Sequence, residues 1–305
     1  MNIEYKGVWP TVIAAFDTEG HLDIEANKSI TEYLINKGSD GLFAVCQSSE
    51  MFFLTLDEKV ALAQSVVETA DGRVPVIASG HTSDTIEKQI EELKAVSETG
   101  VDAVVLVSNR LAAEGEGTDV FLKNLQIILE AMPDVNFGIY ECPYPYRRLL
   151  SSEELKWCAD SGRIVFLKDV SCDTATEKER AKIVKNSDLK LFNANTETLM
   201  DSLEFGYHGY NGVMGNFHID IYKWLFENHR SAPEKARKVQ ASLTHQSEIE
   251  KFAYPVNAKK HMMAHGVKMT PVSRRLSADS FDDEAKNRLE TLLEWERNTR
   301  EMLNI

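Results

Sequence analysis

Lys168 ends the uninterrupted apolar run Ile164-Val165-Phe166-Leu167 and is followed by Asp169. Such a run reads as a buried strand that delivers the lysine from its C-terminal end. Loss of water there disfavours the ammonium and lowers the amine's pKa, so the amine can attack a carbonyl carbon and form a Schiff base. The competing reading is a solvated lysine paired with Asp169. Two further groups bear on the choice. Tyr140 ends another apolar stretch and can place a phenol beside an imine nitrogen to carry protons. The turn Gln47-Ser48-Ser49-Glu50 offers hydroxyls and backbone N–H groups at a helix start, which suit a carboxylate. Taken singly, the tyrosine also reads as packing with a hydrogen-bonded tip and the serine turn as a helix cap.

For these groups to meet, the elements that carry them must converge. Apolar strand candidates fall at 9–16, 41–46, 74–79, 102–107, 135–140, 164–168, 189–194 and 210–214. Helical patterns lie between them, at 23–37 with Asp23 as N-cap, 57–69, 84–98, 118–132, 152–161, 174–186 and 196–205. Eight strands, each followed by a helix at a spacing of roughly 20 to 35 residues, predict an α/β fold, the (β/α)8 barrel. An open doubly wound sheet is the competitor; no Gly-x-Gly-x-x-Gly follows any strand. Residues 1–217 are expected to carry the barrel strands and most helices. Residues 218–305 are expected to carry the closing helix and a C-terminal helical extension, with helices at 220–228, 233–251, 256–265 and 282–303. In a barrel the chemistry sits at the C-terminal ends of strands. Those ends carry Ser48 and Ser49, Ser79 to His81, Asn109 and Arg110, Tyr140 and Glu141, Lys168, Asn193 and Asn195, and Gly215 and Asn216.

Bulk properties narrow the partners. The chain has 305 residues, 43% hydrophobic and 27% charged, the balance of a globular protein with one large core. A formal charge of -14 repels nucleic acid and anionic membranes, which leaves a small-molecule substrate. The longest apolar runs are too short to span a bilayer. No basic region precedes an apolar stretch at the N-terminus, so the cytoplasm is expected. Cys46, Cys142, Cys158 and Cys172 are too sparse and irregular for a disulfide framework or a zinc ribbon and read as reduced thiols. His261 and His265 stand four apart but show no acidic third ligand nearby in the sequence, so they read as a surface pair. No metal and no cofactor are expected.

Three segments carry a resemblance. Gln47-Ser48-Ser49-Glu50, Tyr140-Glu141-Cys142-Pro143 and Phe166-Leu167-Lys168-Asp169 stand in the order, and close to the spacing, of motifs of the dihydrodipicolinate synthase and N-acetylneuraminate lyase family. The family patterns are Gly-[Ser/Thr]-Thr-Gly-Glu, Tyr-Asn-x-Pro and [Ile/Leu]-Lys-Asp. Gly72-Arg73-Val74-Pro75-Val76-Ile77 and the strand-helix rhythm also match. The resemblance implies a class I lyase or aldolase, usually a homotetramer, with a homodimer as the smaller assembly. It implies Lys168 as the Schiff-base lysine, Tyr140 as the proton-transfer phenol, and Ser48 and Ser49 as binders of a 2-oxo acid carboxylate, Ser48 also relaying protons to Tyr140. Gln47, Arg110 and Asn216 join the substrate-binding set. The departures set the expected chemistry apart from the synthases. Both glycines of the first motif are replaced, and Gln47 occupies a hydroxyl position. Ser108-Asn109-Arg110 stands where synthases carry Pro-Tyr-Tyr. Tyr144-Pro145-Tyr146 precedes Arg147 and Arg148, where synthases place an arginine for the second substrate. The expectation is a Schiff-base-forming lyase or aldolase acting on a pyruvate-like, sugar-derived 2-oxo acid. The alternatives are 4-hydroxy-tetrahydrodipicolinate synthase proper and a non-catalytic keto-acid-binding relative.

Overall fold

The computed structural model describes residues 4–305. Eight strands run in chain order: β1 (Gly7–Val8), β2 (Leu42–Phe43), β3 (Val76–Ala78), β4 (Ala103–Val107), β5 (Phe137–Tyr140), β6 (Ile164–Asp169), β7 (Lys190–Asn193) and β8 (Gly209–Tyr210). Every pairing is parallel, in the order β1-β8-β7-β6-β5-β4-β3-β2. A parallel bridge between Thr11 and Phe43 joins the two ends, with Val12 N donating to Phe43 O at 2.9 Å. The sheet therefore closes on itself as the (β/α)8 barrel.

The helices α1 (Ile24–Asn36), α2 (Leu56–Ala70), α3 (Ile86–Ser97), the short α4 (Ser108–Leu111), α5 (Thr118–Ala131), α6 (Ser152–Asp160), α7 (Thr174–Val184) and α8 (Leu199–Phe205) follow the strands in turn. Their starts are written locally. Asp23 accepts from Ala26 N at 3.0 Å, and Thr55 with Glu58 and Ser151 with Glu154 form capping boxes, each satisfying backbone N–H groups that the first turn leaves orphaned. The chain continues through α9 (Gly215–Asn228), α10 (Pro233–Gln246), a 3-10 turn (Ser247–Lys251), α11 (Val256–Ala264) and α12 (Asp283–Leu303). No helix among the described residues is long and apolar enough to cross a membrane.

Two strands differ from the expectation. β1 lies at Gly7–Val8 rather than across 9–16, and β8 is Gly209–Tyr210 rather than 210–214. Beyond β1 the chain keeps only isolated strand-type contacts, such as the Thr11–Phe43 bridge, and its apolar residues are held by burial, because barrel interior and loop floor reward burial as much as strand pairing does. The expected helix over 233–251 stops as α-helix at Gln246 and tightens into the 3-10 turn.

Side-chain alternation divides the core in two. Trp9, Phe43, Tyr140, Phe166 and Phe192 belong to the cluster that fills the barrel, with the Phe166 and Phe192 rings 4.6 Å apart and Trp9 and Phe166 5.8 Å apart. Ile139 and Leu167, one residue away along the same strands, belong to a separate cluster with α5 and α6. Gly138 makes room for the barrel filling, since a Cβ there would stand 3.2 Å from Phe166 Cβ.

The same alternation acts at the strand ends. Glu141 and Asp169 turn outward and meet Arg180 of α7, which donates to Glu141 at 2.6 and 2.9 Å and reaches Asp169 at 2.9 Å. Tyr207 also donates to Asp169, and Leu150 N donates to Glu141 at 2.7 Å. All three charged groups are buried. Replacing Arg180 by Met leaves two carboxylates without their cation, so Arg180→Met should lower unfolding stability by about 3–5 kcal/mol. A reduced urea midpoint at constant slope is the expected readout; an unchanged midpoint would show that the clamp carries no weight.

Candidate active site

Lys168 is the penultimate residue of β6 and Tyr140 the last of β5, and they are direct neighbours in the sheet register. The lysine side chain points into the mouth of the barrel, 4% exposed, with Nζ 4.6 Å from the Tyr140 ring centre and 5.9 Å from that of Phe43. Asp169 is committed to Arg180, Tyr207 and Ser171 N, so the pairing of Lys168 with Asp169 is not made. Burial lowers the amine's pKa from 10.5 to about 8, with the thiols of Cys46 and Cys142 and the carboxyl of Glu250 opposing weakly. That shift raises the share of free amine at neutral pH by about 300-fold.

Burial pushes the Tyr140 phenol well above its usual range, so it is a proton donor in the resting site. Its hydroxyl donates to Gln47 Oε1 at 3.2 Å. Ser48, expected beside Tyr140, stands apart from this bond. The Ser48 hydroxyl donates to Thr11 Oγ1 at 2.9 Å, and no direct bond joins it to Tyr140. An amide carbonyl can orient the phenol but does not ionise, so the Tyr140 partner holds the group without relaying its proton.

Ser49 is also diverted. Its hydroxyl donates to Cys46 O at 2.9 Å and accepts from Cys46 N at 2.7 Å, closing the turn that presents Gln47 and Ser48. Asn216 lies in the first turn of α9, where its amide donates to Thr11 O at 2.6 Å and to the Tyr254 hydroxyl at 3.1 Å. Asn216 Oδ1 has no hydrogen-bond partner among the described residues. Arg110 departs furthest from the expectation: it pairs with exposed Asp84 at 3.1 Å and lies over the Phe52 ring, outside the Lys168 cavity.

That cavity holds about 430 Å³. Gln47, Tyr140, Arg147 and Lys168 line it from the barrel, while Thr244, Ser247 and Glu250 close it from the C-terminal extension. Arg147 makes no hydrogen bond or ion pair with another described residue, whereas Arg148 is held by Glu154 at 2.6 and 3.2 Å. Burial raises the Glu250 carboxyl above its ordinary value.

Sequence reasoning missed Glu250 and Tyr254 because they follow a long helix with no strand-end signal. It also missed the work of Asn109, whose amide donates to Cys142 O, Tyr144 O and Tyr146 O at 2.7 to 3.0 Å and so fixes the loop that ends in Arg147.

A parallel barrel with a desolvated lysine at the end of its sixth strand and a tyrosine beside it defines the architecture of class I, imine-forming lyases and aldolases. The sequence pattern of the Dihydrodipicolinate synthetase family matches residues 4–295, and the chain belongs to that family. The fold is shared with dihydrodipicolinate synthase DapA-2 from Bacillus anthracis, 23% identical over 96% of this chain and 98% of that one, at a TM-score of 0.86. It is shared with YagE, a prophage protein of the same family from E. coli K12 solved in complex with pyruvate, 22% identical over 96% and 99%, at 0.86. It is also shared with CdNal from Clostridium difficile in complex with mannosamine, 19% identical over 95% and 98%, at 0.85.

The lowered lysine pKa makes a signed prediction. From about pH 8 to 10.5 the unfolded chain holds the Lys168 proton that the folded chain has lost, so stability rises with pH across that window. Below it the folded protein carries the whole cost of the buried ammonium. Lys168→Met should therefore be more stable than the unmodified chain by a few kcal/mol at pH 7, at about 1.4 kcal/mol per pKa unit. The gap should close toward pH 10.5 in parallel denaturation curves. A pH-independent gap would mean that Lys168 is not desolvated.

Proposed function

We propose that this chain is an imine-forming lyase or aldolase of a pyruvate-like 2-oxo acid, with a hydroxylated, sugar-derived substrate. The observation that carries the reading is the unpaired, buried amine of Lys168 beside the Tyr140 phenol. The neutral Nζ adds to the C2 carbonyl carbon, and the carbinolamine loses its hydroxyl as water. The phenol of Tyr140 supplies the proton for that departure and recovers it as the substrate is processed. The protonated imine then accepts the electron pair released when the bond beyond C3 breaks. The partner fragment leaves, and the enamine is reprotonated and hydrolysed.

The rest of the cavity supports the substrate class. Asn195, Thr196, Thr244 and Ser247 offer amide and hydroxyl groups that match a polyhydroxylated chain, and Arg147 offers a charge-assisted contact for an acid group. We assign Ser48 and the backbone of its turn to the 2-oxo acid carboxylate. Synthase chemistry on aspartate semialdehyde is disfavoured, because Ser108-Asn109-Arg110 and Tyr144-Pro145-Tyr146 stand where the synthase pattern places its tyrosine and its arginine for the second substrate. The homotetramer or homodimer stays part of this proposal, and sedimentation decides it.

Incubation with pyruvate and borohydride should add the mass of one reduced adduct to the unmodified chain and nothing to Lys168→Ala; an adduct surviving in the variant would sink the assignment. Trapping rates should climb about tenfold per pH unit below pH 8 and level off above it. Tyr140→Phe should keep the fold and slow turnover by roughly 10²–10⁴-fold. In a substrate panel we expect cleavage or dehydration of a 2-oxo sugar acid and negligible condensation of pyruvate with aspartate semialdehyde. Condensation at an ordinary kcat of about 1–10³ s⁻¹ would overturn the substrate assignment. An adduct with no turnover of any 2-oxo acid would favour a non-catalytic keto-acid binder.

A further inference from the structure

The histidines of α11 do not form a surface pair. His261 is buried and His265 is partly covered, and an acidic group far away in sequence closes on both. Glu296, in the middle of α12 and fully buried, brings Oε1 to 2.7 Å from His261 Nε2 and Oε2 to 3.3 Å from His265 Nε2. His218 of α9 points its Nδ1 at the same Oε1 from 3.0 Å. The backbone of α9 leaves helical geometry at this residue alone, at φ -134° and ψ 62°, where its ring enters the cluster. Arg300, one turn beyond Glu296, donates to Oε2 at 3.0 Å and is held in turn by Asp220 at 2.7 and 3.1 Å. Lys37 reaches Asp220 only at 3.9 Å, and the Tyr33 ring lies 6.1 Å from that of His265.

Two histidines four residues apart project from one helix face, and a glutamate from a neighbouring helix supplies an oxygen. A ring nitrogen of His261, a ring nitrogen of His265 and a Glu296 oxygen lie within 4.8 Å of one another. Tetrahedral zinc with arms of about 2.0–2.1 Å separates its ligands by about 3.3 Å, so a small outward movement of these groups admits an ion.

We propose that His261, His265 and Glu296 bind one divalent transition-metal ion of the zinc type, with water in the fourth position. The side chain of His265, 25% exposed, gives the ion and its water access. In the structure each Nε2–H donates to Glu296, so binding requires that proton to move through water to Nδ1, after which the Nε2 lone pair goes to the metal. His218 and Arg300 orient the carboxylate from outside the ligand set, as donors to a ligating carboxylate do. Imidazole nitrogens select a zinc-like ion over magnesium or calcium, which prefer all-oxygen sites. The ion ties α11 to α12 and, through His218, to α9. That clamps the extension whose residues 244–251 wall the Lys168 cavity.

The test uses the full chain stripped by a chelator, titrated with zinc chloride by calorimetry and followed by thermal melting, with magnesium chloride in parallel. One zinc ion per chain is expected, raising the folded-to-unfolded ratio about a hundredfold when free zinc is a hundred times its Kd; magnesium should do nothing. His265→Ala should weaken zinc at least about 10–100-fold, the range already seen for lost outer partners. Cys172→Ser, which removes the exposed thiol, should leave zinc affinity unchanged. Absence of zinc binding, equal binding by His265→Ala, or loss of binding in Cys172→Ser would each overturn the site. Should His265→Ala not fold, the visible spectrum of cobalt bound to the unmodified chain decides. Nitrogen and oxygen ligation supports the assignment, and thiolate charge-transfer bands refute it.

Discussion

The arrangement rests on Arg180 being placed behind the strand ends rather than among them. Successive residues of β5 and β6 face opposite sides of the barrel wall, so Tyr140 and Lys168 turn inward while Glu141 and Asp169 turn outward. One guanidinium meets both outward carboxylates at 2.6 to 2.9 Å. Were Asp169 free to swing toward Lys168, an ion pair would hold the lysine protonated and unreactive. The clamp separates the two neighbours electrostatically although they are adjacent in the chain.

Desolvation of the lysine follows from what fills the barrel. Trp9, Phe43, Phe166 and Phe192 form an aromatic floor beneath the strand ends, so Nζ rests on apolar surface and opens only to the cavity above. Burial of each such ring is worth about 1.5–3 kcal/mol, enough in sum to carry the cost of keeping one amine away from water. The floor thus stabilises the fold and lowers the Lys168 pKa at once. Gln47 adds orientation, since its carbonyl accepts from Tyr140 where a hydroxyl would have opened a proton path.

The C-terminal extension is joined to this centre by Glu50, which ends the 47–50 turn. Its carboxylate accepts from buried Lys259 at 3.0 Å and from Ser273 Oγ, Arg274 N and Arg275 N at 2.8 Å each. Arg274 also holds Glu58 and lies over the Phe16 ring. The turn that presents Gln47 and Ser48 is therefore pinned by residues more than 200 positions away. Tyr254 and Glu250 reach the barrel mouth from the same extension. Cavity shape and strand-end chemistry are two products of one packing arrangement.

Local information determined a good deal. Apolar runs, Asp23 as a helix cap, and the strand-helix rhythm specified the barrel, because hydrogen bonds within a helix and burial of a strand depend on neighbours along the chain. The strand-end positions of Lys168 and Tyr140 were legible for the same reason, since each closes an apolar run. Register and long-range pairing were not. Which hydroxyl faces Tyr140 depends on the path of the 46–50 turn, so Ser48 was read where Gln47 stands. Arg110 was read at the rim, but Asp84 draws it outside. His261 and His265 were read as exposed because the group that buries them, Glu296, is 31 residues beyond His265 and shares no spacing with it. Tertiary structure alone decides such contacts, since a side chain's charge and hydrogen-bonding partners are set by distance in space, which the order of residues does not encode.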